Sequence, residues 1–321
     1  MSPTLAPTSA THARLHNVPV DKIDQNPENP RLYFRQGELD QLLESIRLYG
    51  VQVPISVYKE GARYVLIDGE RRWRCSRKLN RPTIPALIQS RPSALENLLL
   101  MFNIHSLREQ WDLLTVALKL PRVIQLHEKQ HGRTPNEREL AESTGLSRAT
   151  IRRSKLLMEL PQEYKDLLRK ELHAPKSKQK LTEDFFIEME RALTTIERAM
   201  PEAIPDRDAA RRALLDKYRD DVITDIVDFR DLARIARAEN VEADPGKARS
   251  VLRRVLTANA YSIKEAYTDS VSAAYEERDI LTRVQWLAEH LKSIAQRDLD
   301  DELREALRAL LVRLRRVLGE R

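Results

Sequence analysis

The densest chemistry in this chain is the string Gly69-Glu70-Arg71-Arg72-Trp73-Arg74. A helix starting here would expose unpaired N–H groups and the positive end of its dipole, and both attract anions. Glycine lets a backbone approach a ligand closely, and guanidinium forks take phosphate oxygens in pairs. Glu70 would either orient an arginine or approach a metal. A plainer reading stays open beside this one: three arginines on a solvated face behind a chance glycine, since short Gly/Arg strings are weak motifs.

A second constellation lies further on. Thr144-Gly145-Leu146-Ser147 reads as a tight turn between helical patterns at 135–143 and 148–158, with Ser147 as the second helix's N-cap. Leu140, Ala141, Leu146 and Ile151 fall where a helix-turn-helix buries its contacts. From Thr144 to Met158 the charged residues are Arg148, Arg152, Arg153 and Lys155, with no acid. A DNA-reading helix needs such a cationic face, with short polar residues near its start. Ser147, Arg148, Ala149, Thr150 and Arg152 are therefore the candidates for base or near-base contacts, and Arg153 and Lys155 for phosphates. A helical hairpin with an ordinary basic surface is the alternative.

Other elements must hold these residues in place. Residues 18–23 alternate apolar and polar like a strand. The prolines of Asn26-Pro27-Glu28-Asn29-Pro30-Arg31 force a rigid extended turn. Leu39, Leu42, Leu43 and Ile46 have helical spacing, and Gly50 ends that helix. Strand-like runs at 53–57 and 64–67 flank the turn Glu60-Gly61, then come a helix at 70–79 and a strand at 83–88. The expected fold class is α+β: a flexible tail at 1–17, a small α/β domain at 18–92, an all-α domain at 93–173 opening on Ser93, a linker at 174–180 and an all-α region at 181–321. Two stripes stand out in that last region, Val284, Leu287, Leu291 and Ile294, then Leu303, Leu307, Leu310, Leu314 and Val317. Both are read as the core of a helical bundle or as a partner or self-association surface. Arg313, Arg315, Arg316 and Arg321 would add non-specific DNA affinity or form a solvated face.

Composition bounds these readings. In 321 residues, 32% are charged, only 5% are aromatic and eight are glycine, which suits long helices. The net charge of +6 is too small to matter for nucleic acid unless localised, as it is after Thr144. Cys75 is the one cysteine, so an intrachain disulfide and a Cys-rich zinc site are excluded and a reducing, cytoplasmic setting is expected. No signal peptide or membrane span is expected.

Residues 18–90 resemble the N-terminal domain of the ParB family of plasmid and chromosome partition proteins, which shares its fold with sulfiredoxin. The resemblance rests on Asn26-Pro27 with Pro30-Arg31, on Leu39, Leu42, Ser45 and Ile46, on residues 50–55, on Tyr64, on residues 66–74, and on Leu79 with Ile84-Pro85. It implies a CTP site in which Gly50, Gln52 and Pro54 form one side and Gly69, Glu70, Arg71, Arg72 and Arg74 the other. The family's third nucleotide motif, Glu-Asn-x-x-Arg, keeps Asn103 here, but Phe102 replaces the acid and Ser106 the arginine, with Arg108 and Glu109 nearby. Phenylalanine cannot ligate Mg²⁺, which takes oxygen. The expectation is therefore CTP binding, with Mg²⁺ and a weak CTPase activity left open and no metal ligand assigned. Sulfiredoxin's thiol chemistry is not expected, because Glu70 stands at the cysteine position and Cys75 reads as a packing residue.

In this family a helix-turn-helix follows the nucleotide domain, extending the resemblance to about residue 168. It implies double-stranded DNA as partner, a homodimer, a partition ATPase and a nucleoid- or plasmid-associated location, with no membrane role. Two other functions are weighed: a helix-turn-helix transcription regulator or adaptor that uses the ParB-like domain as a scaffold, and a nuclease. The nuclease is disfavoured because no carboxylates cluster for two metals.

Overall fold

The computed structural model describes residues 15–29, 36–106, 111–174, 178–292, 294 and 300–320. Most of the expected tail, Pro30, Arg31, Arg108, Glu109 and the centre of the 174–180 linker lie outside the described residues, as does the side chain of Ser106. The chain divides into two compact units, one ending at Glu190 and the other beginning at Arg191.

The first unit opens with a five-stranded mixed sheet in the order β1-β5-β3-β4-β2. β1 is Leu15–Pro19, β2 Ile23–Asp24, β3 Ile55–Glu60, β4 Arg63–Asp68 and β5 Thr83–Gln89. The single strand expected at 18–23 is broken, because Val20–Lys22 close into a 3-10 turn. Pro19 has no N–H to extend the ladder, and the Val20 N–H donates instead to Pro82 O at 3.1 Å. β1 runs antiparallel to β5 with Val18 opposite Ile84, β5 parallel to β3, and β3 antiparallel to β4. A register shift at Ser56/Val57 sits opposite the end of β4, where Asp68 leads into Gly69.

Helices cover both faces of this sheet. α1 (Gln36–Tyr49) stops at Gly50, whose φ of 73° suits glycine. α2 (Glu70–Lys78) sends Trp73 into a core of Val18, Val20, Ile23, Ile55, Val57, Leu66, Ile84 and Ala86. α3 (Ala94–Ser106) lays Ile104 against Tyr58, Val65 and Ile67. Ser93 caps α3 reciprocally with Glu96, as expected.

α4 (Leu113–His131), α5 (Glu137–Thr144), α6 (Arg148–Glu159) and α7 (Gln162–His173) follow. α3, α4, α5 and α6 share one core, built on Leu98, Phe102, Val116, Leu120, Val123, Leu140 and Ile151. α8 (Glu183–Ala199) carries the division between the units.

The second unit is helical throughout its described residues: α9 (Arg207–Arg219), α10 (Phe229–Ile235), α11 (Pro245–Thr257), α12 (Ile263–Ser270), α13 (Ser272–Leu291) and α14 (Asp301–Leu318). Leu214, Phe229, Leu232, Ile235, Leu252, Val255, Ile263 and Ala266 are buried in it. Lys217 is buried too, and its ammonium donates to the carbonyls of Ala258, Asn259 and Tyr261 at 2.6–2.8 Å. Three acceptors offset the cost of burying a charge, although burial still lowers the lysine's pKa. The bundle-core reading of the two C-terminal stripes does not hold: α13 and α14 bury none of their residues. Their spacing marks an apolar face on which Leu287, Leu291, Leu307 and Leu310 are half-buried and Val284, Leu314 and Val317 exposed.

Candidate functional site

Gly69 sets the geometry of the first site. Its φ of 97° is left-handed, and a Cβ there would meet Ile55 Cγ2 at 2.5 Å. Only glycine fits, because the turn from β4 into α2 presses on the sheet core. No side chain caps α2 at Gly69, so the helix's first N–H groups keep the orphan character that draws anions.

The three arginines do different work. Arg72 is half-buried and turned inward: its guanidinium donates to Val53 O at 2.7 Å, Pro54 O at 2.8 Å and Asp68 Oδ2 at 2.8 Å. It ties the segment that follows α1 to the start of α2, so two stretches singled out in the sequence become one structure. Arg74 is more exposed and donates twice to Glu70 Oε1, at 2.8 and 2.6 Å. Glu70 also accepts from Gln25 Nε2 at 3.1 Å and from Asn29. Glu70 thus orients Arg74. Arg71 is half-buried. Gln52 is exposed and donates to Tyr49 O, while Gly50 and Pro54 are half-buried.

Asn103 is engaged from α3. Its amide donates to Leu99 O at 2.9 Å and to Ser143 O at 3.0 Å, fastening α3 to the end of α5. Phe102 is 0% exposed and packs edge-on against Trp111 with ring centroids 4.9 Å apart. A carboxylate could not occupy that position without being buried in carbon. Sequence reasoning missed the polar pair behind the site. Asn26, 5% exposed, donates to Leu66 O at 2.7 Å and Asn97 Oδ1 at 3.0 Å, and Asn97 returns a bond at 3.2 Å. The signal for it in the sequence is Asn26-Pro27, which marks a turn and belongs to the family resemblance but does not point to Asn97.

A cleft of ≈ 390 Å³ opens between α1 and α2, lined by Leu39, Asp40, Leu43, Arg74, Cys75, Arg77 and Lys78. Burial pushes the Cys75 thiol above its usual pKa, and its Sγ donates to Leu39 O at 3.6 Å. That is a packing cysteine rather than a nucleophile. Among the described residues no group of three or more His, Cys, Asp or Glu could hold a metal ion, and no helix is long and apolar enough to cross a membrane.

The turn between α5 and α6 has the caps expected of it at Gly145 and Ser147. Asn136 and Glu139 cap α5 reciprocally, and Arg133 holds the Glu139 carboxyl down to about 2. Gly145 turns the chain at φ 71°, and Ser147 caps α6 by accepting from Thr150 N at 3.0 Å. Leu140 and Ile151 are fully buried across the turn. Ser147, Arg148 and Ala149 are exposed at the start of α6 and Thr150 is half-exposed, its hydroxyl 2.8 Å from that of Ser147. Arg152 is engaged by Glu137 Oε2 at 3.0 Å and Arg153 by Asp184, while Lys155 is half-buried. The least encumbered cationic group of the set is Arg148.

Residues 5–102 match the ParB N-terminal domain family. The chain is 31% identical over 156 residues to the nucleoid occlusion protein of Geobacillus kaustophilus, spanning 48% of this chain and 53% of that one. It is 33% identical over 156 residues to the probable chromosome-partitioning protein ParB of Pseudomonas putida, spanning 48% and 51%. The chain thus spans about half the length of the curated relatives it matches. Among solved structures it is similar to C-terminally truncated ParB of Caulobacter crescentus complexed with CTP-γ-S, at 28% identity over 50% of this chain and 88% of that one, with a TM-score of 0.28.

Proposed function

We propose, from the premise that residues 5–102 of this chain are a ParB N-terminal domain, that the protein binds double-stranded DNA through α6 and holds CTP on the two segments joined by Arg72. The observation that carries the nucleotide part is the Arg72 clamp on Val53, Pro54 and Asp68. It builds a cradle before any ligand arrives, so little ordering is left to be done on binding. Gly50, Gln52 and Pro54 would form one wall. Gly69, Glu70, Arg71 and Arg74 would form the other, with Arg74 aimed by Glu70. A triphosphate suits that donor set: helix-start N–H groups, a glycine that no side chain can replace, and guanidinium forks.

Mg²⁺ fits less well. Phe102 offers no oxygen and lies inside a core, so no hydrolytic step is assigned and the reading stops at binding. In the DNA part, Ser147, Arg148, Ala149, Thr150 and Arg152 would approach base edges, and Arg153 and Lys155 the backbone, with Arg152 and Arg153 first leaving Glu137 and Asp184. The relatives named for chromosome partition and nucleoid occlusion support a place on the nucleoid; a homodimer, with a partition ATPase as a further partner, completes the proposal.

One observation favours a second reading, a DNA-binding regulator or adaptor in which the ParB-like domain is a scaffold. Asn103 is committed to α5 and Phe102 to the helical core, so the third nucleotide motif serves packing. Calorimetric titration with CTP, ATP and GTP, with and without DNA, separates the two. Heat specific to CTP supports the first reading. Salt-dependent DNA binding with no CTP heat in either condition sinks the nucleotide part and leaves the scaffold. DNA pull-down and sequencing with and without CTP then gives the operator.

A further inference from the structure

α4 ends on a run that neither site above uses, His127-Glu128-Lys129-Gln130-His131. Histidines four apart on a helix lie one above the other on the same face. Here their ring centroids are 4.3 Å apart. Two imidazoles so placed are a donor pair for zinc and its neighbours among the transition metals. With the glutamate between them they form the pattern His-Glu-x-x-His, in which zinc hydrolases use the acid as general base. Such runs also arise by chance, and the surroundings of the rings decide between the two.

His127 is half-buried, and its Nδ1 is closed off from solvent with no hydrogen-bond partner among the described residues. A buried polar atom left unpaired is costly. In the tautomer protonated on Nε2, that nitrogen holds a lone pair that a metal ion can take. His131 is exposed, so its ring can turn to admit the ion. The local field suits a cation. α4 stops at Gly132, and the carbonyls of its last turn form the negative end of the helix dipole. Glu139 lies near enough to His127 for their charges to interact, although Arg133 already engages that carboxylate. Lys129, exposed on the same turn, opposes them. Glu128 does not act as the hydrolytic pattern would have it, because its carboxylate accepts from the Thr134 hydroxyl. Among the described residues no third His, Cys, Asp or Glu completes a ligand set. The protein therefore supplies two nitrogen ligands and water fills the other positions, which makes a binding site and not a hydrolytic one.

We propose that His127 and His131 bind a divalent transition-metal ion of the nitrogen-preferring class, such as Zn²⁺, and that the ion clamps the last turn of α4, from which residues 132–136 lead to the cap of α5. The site depends on neither the nucleotide nor the DNA part of the reading above. It is tested on the full chain, freed of any affinity tag and of nucleotide, by calorimetric titration with Zn²⁺ alone and with Ni²⁺ alone. The expected result is one ion per chain. Affinity should fall in His131→Ala and in His127→Gln by at least the about 10-fold that losing even an outer partner of a metal ligand costs. His131 is exposed on the last turn, so His131→Ala should keep the circular dichroism spectrum of the natural chain, and its result stands even where His127→Gln loosens the packing. Zn²⁺ should raise the melting temperature of the natural chain and not that of His131→Ala. Loaded with Cu²⁺, the natural chain should show electron paramagnetic coupling to two nitrogens and His131→Ala to one. No heat with either ion at millimolar concentration overturns the proposal. So does equal affinity in the natural chain and both variants, which would put the ion elsewhere. Displacement of Zn²⁺ by Mg²⁺ overturns it too, because Mg²⁺ takes oxygen ligands.

Discussion

A β-carbon at Gly69 would stand 2.5 Å from Ile55 Cγ2, inside the distance at which carbon atoms can rest. Ile55 is fully buried in the sheet core, so it cannot yield cheaply, and φ at Gly69 is 97°. Gly69→Ala therefore meets both backbone strain and overpacking. We expect a stability loss of about 2–4 kcal/mol, measured by urea unfolding, with loss of any nucleotide binding that depends on the start of α2. An unchanged midpoint would show that the β4–α2 turn relaxes away from the sheet.

The arginines of α2 should separate by phenotype. Arg72 makes three internal bonds from a half-buried position, so Arg72→Ala should cost about 1–3 kcal/mol of stability and weaken nucleotide binding through the loosened cradle. Arg74 is engaged at the surface, where ion pairs contribute only about 0–1 kcal/mol. Arg74→Ala and Arg71→Ala should leave the melting temperature nearly unchanged while lowering CTP affinity, Arg71→Ala to the point of abolishing it. Wild-type calorimetry for either of these two variants would remove that residue from the site.

On α6 the contrast lies between Arg148 and Arg152. Arg148 is exposed at the helix start, whereas Arg152 already holds Glu137. Arg148→Ala should weaken specific DNA binding by about 1–3 kcal/mol, and Arg152→Ala by less. If Arg148 meets a phosphate rather than a base edge, its loss should lower the slope of log affinity against log salt by about 1. Equal losses for the two variants would mean that the Glu137 pair opens freely on binding DNA.

What the sequence made legible was local. The end of α1 at Gly50, the start of α2 at Gly69 and the capped turn from Gly145 to Ser147 each follow from one residue type in one backbone conformation. The division of labour among Arg71, Arg72 and Arg74 was not legible. It depends on which guanidinium reaches carbonyls that lie 18 and 19 positions earlier in the chain. The Asn26–Asn97 pair spans 71 positions and has no periodic signature. The stripes of α13 and α14 showed in the sequence as spacing, but spacing states that a face is apolar and not what lies against it.

Glu183 gives a pH dependence of unusual sign. Its carboxylate sits on the first turn of α8 and accepts from Leu114 N at 2.6 Å. Burial pushes its pKa from 4.5 up to about 7, reinforced by Asp112 and Asp184 and opposed by the backbone bonds of Leu114 and Leu113. A carboxyl with a folded pKa above its unfolded one binds more protons when folded. Its contribution is fully present below pH 4.5 and is lost as pH rises towards 7, after which it is flat. At about 1.4 kcal/mol per pH unit the loss is at most about 3.5 kcal/mol. The melting temperature should therefore fall from pH 4.5 to 7, against the trend of carboxylates such as Glu139 whose pKa is lowered. Glu183→Gln keeps an acceptor for Leu114 N but cannot titrate, so it should flatten the profile in that window and be the more stable protein at neutral pH. A variant whose profile runs parallel to that of the natural chain would show that Glu183 is ionised and solvated where it stands.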